Sequence, residues 1–337
     1  MFLNILTQGA KDNTYKFALA RFLLEYSKSI DKDVLLKHVK NDTPYIIDYK
    51  KIAHEFLKYY WSQEFRYRFK QNFHNRKTPL IIKTLRNIFG NVYIPESFEK
   101  YSQESTNFEN IKQAEKIIMR GMFGTRESKT SNVIPRFQKI RFGNKFIQNN
   151  IFYEFDDHDK QISVNPNAML FFNNNYPFLF KTTILEWAGF LEKINTFPRL
   201  IAKIESGETI RGSLKIYKKI FVNTKHCFYC NVKLDMHKTD VDHFIPWSYI
   251  FNDKAWNLVL ACESCNRRKS SSLVDDCYYN MLIKRNSCLY PVLKPMRESL
   301  HELDVGNGWS AEIRRYYDNC VKHGFPIIPR FHLLEDV

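Results

Sequence analysis

No window of this sequence approaches the roughly 20 apolar residues that a membrane span requires. The opening stretch MFLNILTQGAKDN has neither a basic start nor a long apolar run, so it does not read as a secretory signal. These two absences point to the cytoplasm and to no membrane partner. Thiols stay reduced there and disulfides are rare. Low-complexity segments and internal repeats are also missing. Glycine and proline are modest, at 11 and 12 residues.

What is present fits a folded enzyme-sized chain. Its 337 residues suffice for two domains or one large one. With 44% hydrophobic and 15% aromatic residues it can bury a core, so a disordered chain is excluded. The net charge is +15. Such a balance says nothing about fold, but it favours a polyanionic partner, because lysine and arginine displace counterions from phosphates.

The first 144 residues read as a helical, basic region. Apolar residues recur at helical spacing in TYKFALARFLLEY, with Asn13 before it as a cap, and a longer helix is expected over Tyr49–Phe69. TPLIIKTLRNIFG opens on Thr-Pro and closes on Gly90, and NFENIKQAEKIIMRGMF gives a further helix. Residues 145–210 read as a connector. KFIQNNIFYEF and KQISVNPNAMLFF, separated by the turn-like DDHDK, predict a β-hairpin. The helices TTILEWAGFLEKIN and PRLIAKIES come next, and then a hinge, GETIRG, at 207–212. Residues 211–337 begin with the helix SLKIYKKIFVN and return to helix in DDCYYNMLIKRNS and SAEIRRYYDNCVKHG.

Seven cysteines in a reducing compartment need a reading other than disulfides. Cys227 and Cys230 form one C-x-x-C pair, and Cys262 and Cys265 another. Each pair offers two thiolates from one tight turn, and together they match a tetrahedral structural Zn²⁺ site. Cys277, Cys288 and Cys320 read as ordinary helix cysteines. The 31 residues between the pairs exceed a minimal zinc ribbon and so hold an inserted element. That element contains DVDHFIPWSYI, where Asp242 and His243 are adjacent and Pro246 stiffens the loop beyond them. Asn257 opens an apolar run, and Asn266 comes directly after the second pair.

These residues suit phosphodiester hydrolysis, which needs an activated water and neutralisation of the phosphoryl and leaving oxygens. An imidazole titrates near neutrality and can take the water's proton, the role expected of His243. A hard divalent cation, Mg²⁺ or Mn²⁺, takes oxygen ligands, which Asp242 and Asn266 offer. Neighbouring side chains on a strand point to opposite faces. The strand is therefore expected to end at His243, with Asn257 tying the loop beyond it by a backbone hydrogen bond.

The stretches VDHFIPWS and NLVLACESCNRRKS resemble the HNH endonuclease superfamily, over roughly residues 221–275. The family's first His falls on His243 and its Asn on Asn257, while Asn266 replaces the last His. Such His-Asn-Asn variants resemble the HNH domain of RNA-guided CRISPR nucleases, and the paired knuckles are like those of many bacterial HNH enzymes. The resemblance implies a core of two strands and a helix around one divalent metal, and products with a 5′-phosphate and a 3′-hydroxyl. By analogy it also implies a role in restriction or phage defence, with a protein partner in a multi-subunit system.

Two basic stretches complete the expectations. Arg267, Arg268 and Lys269 come after Asn266 and are candidates for phosphate contacts. Between Phe65 and Arg86 there are seven Lys or Arg and no acid, and Phe65, Tyr67, Phe69 and Phe73 interleave with Arg66, Arg68 and Lys70. Such a pattern either stacks bases and binds phosphates or is an amphipathic helix with aromatics in the core. The expected class is α+β: a mainly helical N-terminal region and a C-terminal, zinc-stabilised ββα-metal nuclease domain acting on DNA. A non-catalytic zinc module that binds nucleic acid, and a ribonuclease using the same site, are the alternatives.

Overall fold

The structure is a computed structural model, and it describes residues 1–8, 13–72, 78–91, 94, 96–123, 133–142, 145–148, 150–205, 213–304, 306 and 308–331. The expected hinge at 207–212 and Phe73 lie outside these residues. The chain divides into two compact units, one of Met1–Asn195 with Leu200–Glu208 and one of Thr196–Arg199 with Thr209–Val337. None of the described helices is long and apolar enough to cross a membrane.

The first unit is built on helices. α1 (Tyr15–Lys28) begins where the Asn13 side chain accepts the Tyr15 N–H at 3.0 Å. Its Phe17, Leu19, Leu23 and Leu24 are fully buried. α2 (Tyr49–Phe65) is capped by the Asp48 carboxylate on the Lys50 N–H. α3 (Leu80–Phe89) stops at Gly90, whose φ of 87° an L side chain rarely adopts. α4 (Pro166–Asn174) and α5 (Tyr176–Glu192) pack on α1. Trp187 of α5 stacks at 6.3 Å on Phe17 and lies 5.8 Å from Tyr60.

A three-stranded antiparallel sheet joins this helical unit. β1 (Tyr45–Asp48) and β2 (Tyr153–Asp156) flank β3 (Gln161–Val164), with Ile47 and Phe155 both opposite Ile162. The expected hairpin around DDHDK is thus β2–β3, but it is shorter than the sequence pattern predicts. Lys145–Gln148 pairs instead with Lys139–Phe142. The segment PNAMLFF, read as part of the hairpin, belongs instead to the helix α4, which runs on to Asn174. Asn165 caps it by accepting the Asn167 and Ala168 N–H groups, and Pro166 sits in its first turn, where a missing N–H costs nothing.

The basic stretch after α2 also departs from expectation. α2 ends at Phe65 rather than Phe69. The Tyr67 and Phe69 N–H groups fold back onto Ser62 O and Gln63 O at 2.9 and 2.8 Å, and Arg68 takes a φ of 55°. Phe65, Tyr67 and Phe69 are 1%, 0% and 2% exposed, so they are core residues and cannot stack bases. Arg66, Arg68 and Lys70 face outward between them. The interleaving thus marks an irregular turn that alternately buries its aromatics and exposes its cations, not a continued helix. Arg68 is held by the Asn91 side chain at 2.9 Å.

The second unit carries a two-stranded hairpin. β4 (Thr239–His243) pairs antiparallel with β5 (Leu258–Cys262), placing Asp242 opposite Val259 and His243 opposite Leu258. A seven-residue helix, α6 (Glu263–Lys269), succeeds β5 at once and packs on both strands. Later helices α7 (Cys277–Leu289) and α8 (Trp309–Lys322) bury Tyr278, Leu282, Ile313 and Tyr317, and α7 reaches the hairpin through Arg285, which donates to Leu258 O.

Phe65 meets Trp61 edge-on at 4.6 Å and Phe89 at 6.2 Å. Phe65→Ala is expected to destabilise the protein by about 3–5 kcal/mol, read by denaturant unfolding. A loss below about 1 kcal/mol would show that this segment is not core.

Candidate nuclease site and metal knuckle

The two cysteine pairs come together. Residues 225–234 form a tight turn in which Cys227 N–H donates to Val232 O at 2.8 Å, with Asn231 at a φ of 57°. That turn presents Cys227 and Cys230. Cys262 closes β5 and Cys265 lies in the first turn of α6. All four sulfurs lie within 4.8 Å of one another, and those of Cys230 and Cys262 are 3.8 Å apart. Sulfurs about 2.3 Å from one tetrahedral zinc lie about 3.8 Å apart, so the donor set fits such an ion. Burial pushes the Cys265 and Cys230 thiols up. Cys262 is held below the usual thiol range, because the Cys265 N–H and neighbouring thiols outweigh its burial. A cation bound among the four sulfurs would hold them as thiolates.

Asp242 is 6% exposed and its carboxylate points to the α6 side of the hairpin. Its Oδ2 accepts from the Tyr229 hydroxyl at 2.5 Å and pairs with Lys269 Nζ at 3.1 Å. Burial, and then the Asp242 charge, push the Tyr229 phenol up, so it stays a donor. Both partners sit on Oδ2; among the described residues Oδ1 has none. Asn266 does not bond Asp242. Its Nδ2 donates to Asp240 Oδ2 at 3.0 Å, which fixes the amide and turns Oδ1 away from that bond. Asp240 lies two residues before Asp242 and so on the same strand face.

Lys269 requires a correction. It is expected among surface phosphate contacts, but it is 0% exposed. Its ammonium bridges Asp242 Oδ2 and His243 O, the latter at 2.6 Å. On a helix, positions 265, 266 and 269 share a face, so Lys269 turns inward with Cys265 and Asn266. Arg267 and Arg268 remain outside. Arg267 pairs with Glu263, and Arg268 lies over the Phe331 ring at 5.0 Å.

His243 is the last residue of β4, and its imidazole leaves the side opposite to Asp242. Its Nε2 lies 2.8 Å from Asp253 Oδ1, a residue that sequence reasoning missed. Asn257 clasps the intervening loop: its Oδ1 accepts from Ile245 N at 2.7 Å and its Nδ2 donates to Ile245 O at 2.9 Å. Phe244 N also donates to Asn257 O at 2.8 Å. α7 braces Asn257 from behind. Arg285 donates to Leu258 O and Trp256 O at 2.6 and 3.0 Å, and Asn286 to Trp256 O at 3.0 Å. Burial pulls the Arg285 guanidinium down to about 9, still charged at neutral pH.

Two strands, a helix directly after them, a cysteine knuckle at one end and a paired Asp-His at the other are the architecture of an HNH endonuclease domain. Residues 227–274 match the family described as HNH endonuclease, a span running from the first knuckle cysteine through the hairpin and α6. The chain therefore carries an HNH endonuclease domain within its second unit, and that domain implies nucleic-acid binding. No curated protein and no solved structure matches the chain.

Protein purified without chelator is expected to contain about one equivalent of zinc per chain by elemental analysis. Cys227→Ser should lose it and unfold at lower temperature, because such a site forms only with the fold. Zinc-free protein whose stability is insensitive to this substitution would refute the site.

Proposed function

We propose that the protein is a metal-dependent endonuclease that hydrolyses DNA phosphodiester bonds, with His243 as general base and a structural zinc on Cys227, Cys230, Cys262 and Cys265. The observation that carries the reading is the division of labour across one strand end. Asp242 and His243 are successive residues whose side chains leave opposite faces, each with named partners that fix it.

Asp242 Oδ1 and Asn266 Oδ1 are hard oxygen donors suited to Mg²⁺ or Mn²⁺. Such an ion would supply charge neutralisation on the phosphoryl and leaving oxygens. The chain's own residues do the rest. Asp240 orients the Asn266 amide through Nδ2, so that its carbonyl oxygen is the free end. Tyr229 and Lys269 hold the far oxygen of Asp242 and keep its carboxylate from turning. His243 accepts a proton from water at a ring nitrogen, and Asn257 keeps the loop beyond it in register. Arg267 and Arg268 lie at the surface of the same helix, where phosphates can be met.

DNA is favoured by the net charge of +15 and by the family resemblance. That resemblance also points to cytoplasmic restriction or phage defence, alone or with a partner subunit. One observation favours a second reading, a non-catalytic zinc module. Asp242 already has two donors on one oxygen, a saturation that a purely structural aspartate would share.

The two readings part in one assay. Purified protein incubated with plasmid DNA and with RNA is expected to cut DNA with Mg²⁺ or Mn²⁺ and not with EDTA. His243→Ala should lose about 10²–10⁴ in rate while keeping zinc content, fold and DNA affinity. Full activity in His243→Ala would refute the mechanism. Binding without cleavage under any divalent metal would leave the zinc-module reading, and RNA cleavage alone would make the enzyme a ribonuclease.

A further inference from the structure

Asp253 has no part in the cysteine knuckle or the oxygen pair, yet its carboxylate ends on the imidazole of His243. It lies between a short helix, Trp247–Ile250, and the turn Ala255–Asn257, ten residues after His243. The stretch that carries it is braced independently of the carboxylate. Phe251 takes a left-handed φ of 56°, and its carbonyl accepts from Arg199 Nη1 at 3.3 Å. The Tyr217 hydroxyl donates to the Asp253 backbone carbonyl at 2.5 Å. Lys254 pairs with Glu302. The side chain of Asp253 is 28% exposed, whereas that of His243 is 6% exposed. The pair is thus mostly sheltered from solvent, while the loop keeps the contacts made by Arg199, Tyr217 and Lys254 whatever the state of the carboxylate.

We propose that Asp253 is a positioning residue for His243. An ionised carboxylate can only accept, so the proton of the neutral ring sits on Nε2, which lies 2.8 Å from Asp253 Oδ1. That fixes the tautomer and leaves Nδ1 as the basic nitrogen. It also fixes the plane of a ring that ends a strand and has only its Cα–Cβ and Cβ–Cγ torsions to lock. When Nδ1 accepts a proton from water, the resulting imidazolium is held against the Asp253 anion, which stabilises the charge that forms. No group is lost or gained in this step; one proton moves from water to Nδ1.

This inference rests on the nuclease reading, and two separate readouts keep its failure distinct from that reading's. Asp253→Asn keeps the shape and the backbone carbonyl bound by Tyr217, but its amide can donate to the ring and favour the other tautomer. Its kcat for DNA cleavage is expected to fall about 10²-fold, as for other partners that orient an active-site ring. KM, zinc content and melting temperature should be nearly unchanged. The double variant with His243→Ala should be no slower than His243→Ala alone, because Asp253 acts only through that ring. The second readout needs no activity. Long-range ¹⁵N–¹H NMR of labelled wild-type protein should show His243 with Nε2 protonated and Nδ1 bare, and Asp253→Asn should shift that pattern. An unchanged His243 pattern, or a kcat within about threefold of wild type, overturns the proposal. If wild-type protein cuts nothing, the nuclease reading fails, and the NMR pattern still decides whether Asp253 sets the ring.

Discussion

One buried ammonium holds the candidate site together. Lys269 is fully buried, and its Nζ bridges the Asp242 carboxylate on one strand residue and the His243 carbonyl on the next. Taking a lysine out of water is costly, and it is tolerated only where a charge and a dipole replace the lost solvent. Here both replacements belong to the residues assigned to the chemistry. Removing the Asp242 carboxylate would leave the Lys269 charge buried without a counter-ion, which typically costs about 3–5 kcal/mol. The ion pair therefore does not simply add stability. It makes the position of Asp242, of the strand end and of the last turn of α6 a single condition.

α6 has seven residues and could not persist alone. It is pinned at both ends, by Cys265 in its first turn and Lys269 in its last. The four sulfurs bring the turn around Cys227 within 4.8 Å of the start of the helix, where one metal ion would join them, and the ion pair joins the end of the helix to β4. Asn266, one residue after Cys265, is thus fixed by structure on either side. Its amide is then oriented by Asp240 from the same strand face as Asp242. The register of Asp242 against Val259 and His243 against Leu258 carries this order into the loop that Asn257 clasps.

Much of this is legible in the residues. Paired cysteines announce a knuckle by spacing alone, and period-two alternation requires adjacent Asp242 and His243 to diverge. Spacing does not give the partners. Tyr229 sits inside the first C-x-x-C pair and looks like filler. Asp253 lies in a turn, where polar residues are common and carry no period. Lys269 is masked by its neighbours, since Arg267-Arg268-Lys269 reads as one basic run, although helical phase separates its last member from the first two. In the first unit the same limit applies. Residues 65–70 alternate aromatic and cationic, and only the burial of Phe65, Tyr67 and Phe69 decides between stacking surface and core. β1 pairs with β3 more than a hundred residues later, a contact to which no local pattern points.

At the centre of the proposed mechanism, Asp242 and Asn266 present free oxygens to one hard cation at the end of β4. Mn²⁺ binding measured by electron paramagnetic resonance on zinc-loaded protein tests it without relying on any substrate. The expected result is one bound Mn²⁺ per chain in wild type, weakened by Asn266→Ala, abolished by Asp242→Ala and retained in His243→Ala. Mn²⁺ binding that is indifferent to Asp242 and Asn266 would contradict it.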